Sequence, residues 1–432
     1  MRSLQIKRSL WSLALGVAFG LTGTAPAQFG LAGGIGEAFR PAFTTRSVQL
    51  AVEMLQLDDA QKFILETLYE DYNAEFQTGV DGFRGKVSDL RTQIDPNNPD
   101  PGQIMRIVFG TINEWREESR SLAETMMVDL RGLLNQEQLE DWGRFTRKLF
   151  RLKYLKNGQL PGENLDLLND VRELGLAEMQ TDELQPLLDE YEQQLDAALR
   201  KREDYLQRSQ TDLIEAIQDE NYQTGLEVAA RQVEMRKGVR NVNEQYTVTI
   251  ASSLPSDLGP EFISRIRERT YPRVYRRTPA ARAFAAALQI EGLDADTLEA
   301  IVVLQQAYDI ELDSFNDHLV QLIRTQKPLE IQFKVEQAVA RLSGDATRRF
   351  EDTSRAKFTE RGEISARFMD QLKAVLTPDQ FAALPGARRW IEPEEGTIAA
   401  AKKRARLAKT KLPPNKGGPE RPLGINAGKE DD

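Results

Sequence analysis

Apolar positions recur three times along this chain in one arrangement. Leu57 to Phe76 reads LDDAQKFILETLYEDYNAEF, Leu176 to Leu195 reads LAEMQTDELQPLLDEYEQQL, and Leu293 to Leu312 reads LDADTLEAIVVLQQAYDIEL. Without a gap, Leu57, Leu176 and Leu293 align. So do Leu65, Leu184 and Ile301, then Leu68, Leu187 and Leu304, then Tyr72, Tyr191 and Tyr308, then Phe76, Leu195 and Leu312. The last four columns are spaced 3, 4 and 4 residues apart, which is one face of an α-helix. The copies start 119 and 117 residues apart, so the pattern predicts one supersecondary unit used three times. The tyrosines sit on the apolar stripe and are expected to be buried against a returning helix.

Each stripe starts at a capping signal. Asp58 followed by Gln61 is a capping box, in which a short polar side chain accepts from an orphan helix N–H and the glutamine reaches back. Related entries follow at LNQEQ (Leu134 to Gln138), LPSDL (Leu254 to Leu258) and LTPDQ (Leu376 to Gln380). Ala177 and Pro255 are poor caps, which marks the middle unit as degenerate. A short apolar helix is expected before each stripe: Ser47 to Leu55, Leu165 to Leu174 and Ala280 to Ile290, with Gly175 and Gly292 stopping the last two. Polar turns at Asp95 to Pro101, at Asp219 to Gly225 and around Pro328 then divide each unit into two long helices that should pack antiparallel. No stretch shows sustained period-2 alternation with turn chemistry. The expected fold is all-α, with three tandem antiparallel helical hairpins of about 118 residues covering 46–160, 161–278 and 279–401.

Composition adds a compartment. Residues 1–27 combine Arg2, Lys7 and Arg8 with the apolar run Ser9 to Gly23 and end at Ala25-Pro26-Ala27, which reads as a secretory signal. An uncleaved anchor is the other reading of the same run. Residues 28–45 form a Gly-rich linker. The chain is acidic, with 67 Asp/Glu against 57 Lys/Arg. Its end reverses that sign: residues 402–432 hold nine Lys/Arg and four Asp/Glu among prolines and glycines, a basic tail expected to be disordered. Cysteine is absent, which excludes disulfides, thiolate sites and a lipid-modified N-terminal cysteine. Export to the periplasm, not as a lipoprotein, is the expected localisation.

Candidate chemistry is sparse. The only histidine, His318, lies near the column Asp309, Asp313 and Asp317, which reads either as a metal site or as a solvated acidic face. A metal site would need more nitrogen or sulfur ligands than one imidazole, so no metal is expected. Gly79, Gly82 and Gly85 are not a phosphate loop and point instead to close helix contact or a softened helix. No nucleophile elbow, Walker loop or dinucleotide fingerprint is present, so neither a catalytic residue nor a cofactor is expected.

One further feature repeats. RFTRKLFRLKYLK (Arg144 to Lys156) follows the Leu134 entry, and RIRERTYPRVYRR (Arg265 to Arg277) follows the Leu254 entry. Arg144, Phe150 and Tyr154 match Arg265, Tyr271 and Tyr275 in offset to within one residue. These segments have two readings. Their cations answer acidic helices internally, or the six residues contact anionic or unfolded polypeptide. Nucleic acid does not fit an exported acidic body.

LTPDQ at Leu376 to Gln380 matches the LTxxQ motif of the Spy/CpxP family of small periplasmic helical proteins, and LNQEQ, LDDAQ and LAEMQ are looser matches. The chain therefore resembles that family, as three family-sized units in tandem. The resemblance implies a helical hairpin flanked by two such motifs, frequent dimerisation into a curved cradle, and chaperone-like holding of partly unfolded clients. Leu254 to Leu258 lacks the glutamine, and a single histidine departs from the metal-binding relatives. The expected function is that of an exported, non-catalytic binding protein, a chaperone-like or envelope-stress component whose partners are unfolded or envelope polypeptides. A structural envelope protein whose basic tail contacts anionic components is the alternative, followed by a metal sensor or enzyme. A homo-oligomer is compatible with either of the first two.

Overall fold

The structure is a computed structural model that describes residues 39–93, 101–219, 221–343 and 346–391. Among these the chain is all-α, with no strand. The expected signal, most of the linker, the centre of the first turn and the basic tail lie outside the described residues.

The helices are α1 (Thr45–Met54), α2 (Asp59–Gln93), α3 (Pro101–Gly132), α4 (Gln136–Tyr154), α5 (Leu167–Arg172), α6 (Glu178–Gln218) and α7 (Tyr222–Ser253). They continue as α8 (Leu258–Thr270), α9 (Pro272–Tyr275), α10 (Pro279–Ala287), α11 (Ala295–Ser343), α12 (Thr353–Val375), α13 (Pro378–Ala382) and α14 (Arg388–Ile391). They form two compact units: Met1–Arg276 with Asn316–Phe358, and Arg277–Phe315 with Thr359–Asp432.

The capping signals form at most of the entries; at LPSDL, Asp257 makes no side-chain cap. Asp58 and Gln61, Asn135 and Gln138, and Thr377 and Gln380 each exchange both bonds of a capping box. At Ala177 only the glutamine half forms, from the Ala177 N–H to Gln180 Oε1. The position just before each stripe is left-handed in all three places: Gln56 at φ 48°, Gly175 at 67° and Gly292 at 77°. Two of the three are glycine, which adopts this conformation without a Cβ clash; Gln56 holds it at a steric cost.

The first unit holds two hairpins. In α2 and α3, Gln61 bonds the Leu133 carbonyl, Phe76 meets Trp115 and Lys86 meets Glu114, so one helix ascends as the other descends. Gly79 lies under the Trp115 ring, and a Cβ there would collide with it, which makes this glycine a close helix contact. In α6 and α7, Glu190 accepts from the Tyr246 hydroxyl and Ser209 from Gln232, the same antiparallel order. The second unit packs α10 and the start of α11 against α12 and α13 around Ala283, Phe284, Tyr308, Met369 and Leu372.

The aligned columns share one burial. Leu65, Leu184 and Ile301 are buried, as are Tyr72, Tyr191 and Tyr308, and Phe76, Leu195 and Leu312; Leu68, Leu187 and Leu304 are half-buried. Each tyrosine hydroxyl also reaches the start of its short helix. Tyr72 accepts from the Ala42 N–H at 2.8 Å, Tyr191 accepts from the Leu167 N–H at 3.2 Å, and Tyr308 bonds the Thr278 hydroxyl. Tyr191 and Tyr308 pack against Tyr246 and Phe368 of the returning helices, whereas Tyr72 meets Phe43. Burial raises the pKa of all three phenols.

One expectation is overturned. The turn expected around Pro328 does not form, and α11 runs unbroken through it to Ser343. Proline deprives the carbonyl four residues back of its helical donor. That carbonyl belongs to Arg324, and Arg240 of α7 donates a side-chain N–H to it at 3.3 Å. The orphaned acceptor is satisfied from outside the helix, so the break is not required.

Candidate functional site

Within the first unit, α3, α4, α6, α7 and the second half of α11 enclose a groove of about 2060 Å³. Drug-sized ligands occupy pockets of roughly 300–1,000 Å³, so the space suits a length of polymer better than a small molecule. Its apolar floor includes Phe43, Met127, Leu149, Val233 and Val335, and Val128 on its rim is 69% exposed.

The wall at the end of α4 is an aromatic pair. Phe150 and Tyr154 are half-buried one helical turn apart, with ring centroids at 4.5 Å. The Arg200 guanidinium lies over Phe150 at 4.4 Å, and the Lys153 ammonium lies 4.9 Å from the centre of the Tyr154 ring. Such contacts hold the rings in place while leaving part of each face to the groove.

Behind this wall lies a buried ion cluster. Glu163, fully buried, accepts from Arg202 at 2.7 Å and Arg236 at 3.1 Å through one oxygen, and from the Gln159 and Leu160 N–H groups through the other. Arg202 also bonds Glu203 and the Tyr154 carbonyl, and Arg236 bonds the Asn157 carbonyl. The charges are paired and their remaining donors and acceptors find backbone partners, which makes burial tolerable. The cluster fixes the loop after Tyr154, and hence the aromatic wall, against α6 and α7. A second set, Arg147 and Arg151 with Glu192, ties α4 to α6, and Arg151 with Asp166 ties α4 to the start of α5. Here the basic run of the sequence does answer acidic helices.

The six residues singled out from the sequence are not one surface. Phe150 and Tyr154 line the groove; Arg144 is exposed and outside it. Arg265 pairs with Glu261 and Glu173. Tyr271 is buried, and burial pushes its phenol up to about 12. Tyr275 lines a smaller pocket of about 380 Å³ with Arg267, Asp317 and His318. Among the described residues, no group of three or more His, Asp or Glu side chains is placed to hold a metal ion.

The groove also brings together residues that no motif in the sequence marks. Arg116 of α3 bonds the amide oxygens of Asn113 at 3.3 Å and of Gln210 on α6. Burial lowers its pKa to about 10, with no neighbouring carboxylate to offset the cost. Arg208 of α6, exposed at the groove, donates to its own helix at the Asp204 carbonyl, 3.2 Å away. The spacing of Arg200 and Arg208, eight residues apart on one helix face, is the one sequence signal that points to them. Among the described residues, no helix is long and apolar enough to cross a membrane. No family model matches the chain, and no curated protein or solved structure matches it significantly.

Proposed function

We propose that the protein is an exported, non-catalytic binding protein that holds partly unfolded polypeptide, built from three related helical units, as its resemblance to the LTxxQ proteins implies. The observation that carries this reading is the groove, which is larger than the pockets drug-sized ligands fill and has an apolar floor and an aromatic wall of Phe150 and Tyr154. Aromatic and arginine side chains on a pre-ordered frame are the groups that dominate polypeptide recognition.

The test is aggregation of a chemically denatured client, followed by light scattering with and without the mature chain. Suppression at near-stoichiometric ratio is expected. Replacing Phe150 and Tyr154 together by Ser should remove most of it while helicity by circular dichroism is retained. Full suppression by a variant that keeps its helicity would move the binding surface elsewhere. No suppression by the unaltered chain would end the chaperone reading.

A further inference from the structure

The groove's charge runs against that of the chain. The whole sequence has more Asp/Glu than Lys/Arg, yet the groove is lined by nine Arg/Lys and only four Asp/Glu. Most of these cations are answered: Arg120 by Glu117, Arg200 by Asp196, Arg236 by Glu163, and Lys327 and Lys334 by the single Glu330. Among the described residues, Arg116, Lys153 and Arg208 are not answered by a carboxylate. Arg116 has only amide oxygens, Lys153 only the Tyr154 ring, and Arg208 only a backbone carbonyl. They come from three different helices, α3, α4 and α6, and so line the groove from separate walls.

A half-buried arginine without a counter-ion is costly, and a basic surface in an acidic chain is not accounted for by solubility. We infer that this groove selects anionic polypeptide: extended Asp/Glu-rich segments whose carboxylates answer Arg116, Lys153 and Arg208. The inference rests on the polypeptide-binding reading above and adds the class of client. Polypeptide fits better than nucleic acid for two reasons. Glu124 and Asp204, whose carboxylates pair with no cation among the described residues, also line the groove and would repel a ligand charged at every repeat. The floor of Met127, Val233 and Val335 offers apolar side chains a place that phosphodiester chains do not use.

The experiment is fluorescence anisotropy with the mature full-length chain and fluorescein-labelled peptides that share interspersed Leu and Phe. Their remaining positions are all Glu, all Gln or all Lys, and a single-stranded oligonucleotide serves as a further probe. The Glu peptide should bind about tenfold or more tighter than the Gln peptide, and the Lys peptide weakest. Added salt should erase the difference. Replacing Arg116, Lys153 and Arg208 by Gln should bring the Glu peptide to the affinity of the Gln peptide. Arg208→Gln alone, at an exposed position that folding does not depend on, should lose part of the preference. Equal binding of all three peptides leaves the polypeptide reading standing and overturns the charge selection, as does an unchanged preference in Arg208→Gln and the triple variant. An oligonucleotide that binds as tightly as the Glu peptide overturns it in favour of a general polyanion site. Failure of every peptide to bind overturns the polypeptide-binding reading itself.

Discussion

In α4 the helix runs on to Tyr154, and Phe150 and Tyr154 stack one turn apart on the groove wall. At the matched offsets after the Leu254 entry, Tyr271 is buried and Tyr275 stands beside His318 in a separate pocket. A proline separates the two outcomes. Pro272 disfavours helical geometry at its predecessor, and here α8 ends at Thr270 and Tyr271 takes φ −128°, ψ 59°. The break turns the first aromatic inward and starts a new short helix. Each segment also pairs several of its cations internally, α4 with Glu192 and Asp166 and α8 with Glu173, Glu261 and Asp170. A matched offset from a cap fixes a position along a helix. What that position faces depends on whether the helix continues.

The largest effect is expected at the ion cluster behind α4. Glu163→Ala would leave Arg202 and Arg236 buried without their carboxylate and free the Gln159 and Leu160 N–H groups. Unfolding in urea should show a loss of about 3–5 kcal/mol. Next, Tyr271→Ala should cost about 3–4 kcal/mol as a buried aromatic, whereas Tyr154→Ala, on the half-exposed groove wall, should cost about 1 kcal/mol and act on client binding instead. Equal stability losses in the two would erase the distinction between the segments.

Asp170 sharpens the contrast on the α8 side. It is fully buried, touches the Arg269 guanidinium, and neither of its oxygens accepts a hydrogen bond. Burial raises its pKa from 3.8 to about 6, against the pull of Arg269. Between those values the folded state keeps a proton that the unfolded state releases, so this group's contribution to stability falls as pH rises through the window and stays unfavourable above it. Asp170→Asn should therefore stabilise the protein above pH 6 by up to about 3 kcal/mol and flatten the melting temperature between pH 4 and 6. A destabilised variant at pH 7.5 would mean the Arg269 contact outweighs the burial. The smallest effect is expected at Gln56. Gln56→Gly relieves its left-handed strain and should add up to about 1 kcal/mol, while Gly175→Ala at the aligned position should subtract a similar amount.

Much of the frame is legible in the amino-acid sequence alone. The capping boxes at Asp58, Asn135 and Thr377 and the glycine stops follow from contacts within a few residues, and the tyrosine stripe shows in the local 3-4-4 spacing of apolar positions. The features that are not legible depend on residues far apart in the chain. The capping glutamines Gln61 and Gln138, 77 residues apart, bond each other at 2.9 Å, which no local cap pattern announces. Pro328 reads as a turn because its rescue comes from Arg240, a residue on another helix. The groove is half legible: Phe150 and Tyr154 stand out as a repeated feature, but Arg116 looks like an ordinary solvated charge until packing half-buries it beside Gln210 of α6.

If client lies in the groove of the first unit, as proposed, it should be captured from the groove rim. A photo-crosslinking amino acid at Val128, on the groove rim, is compared with the same label at Val248, on α7 and not part of the groove lining; the two sites are 69% and 63% exposed. With a denatured client and light, Val128 should give a crosslinked adduct that excess Glu-rich peptide competes away, and Val248 should give little. Equal labelling at both sites, or labelling at Val248 alone, would contradict the account.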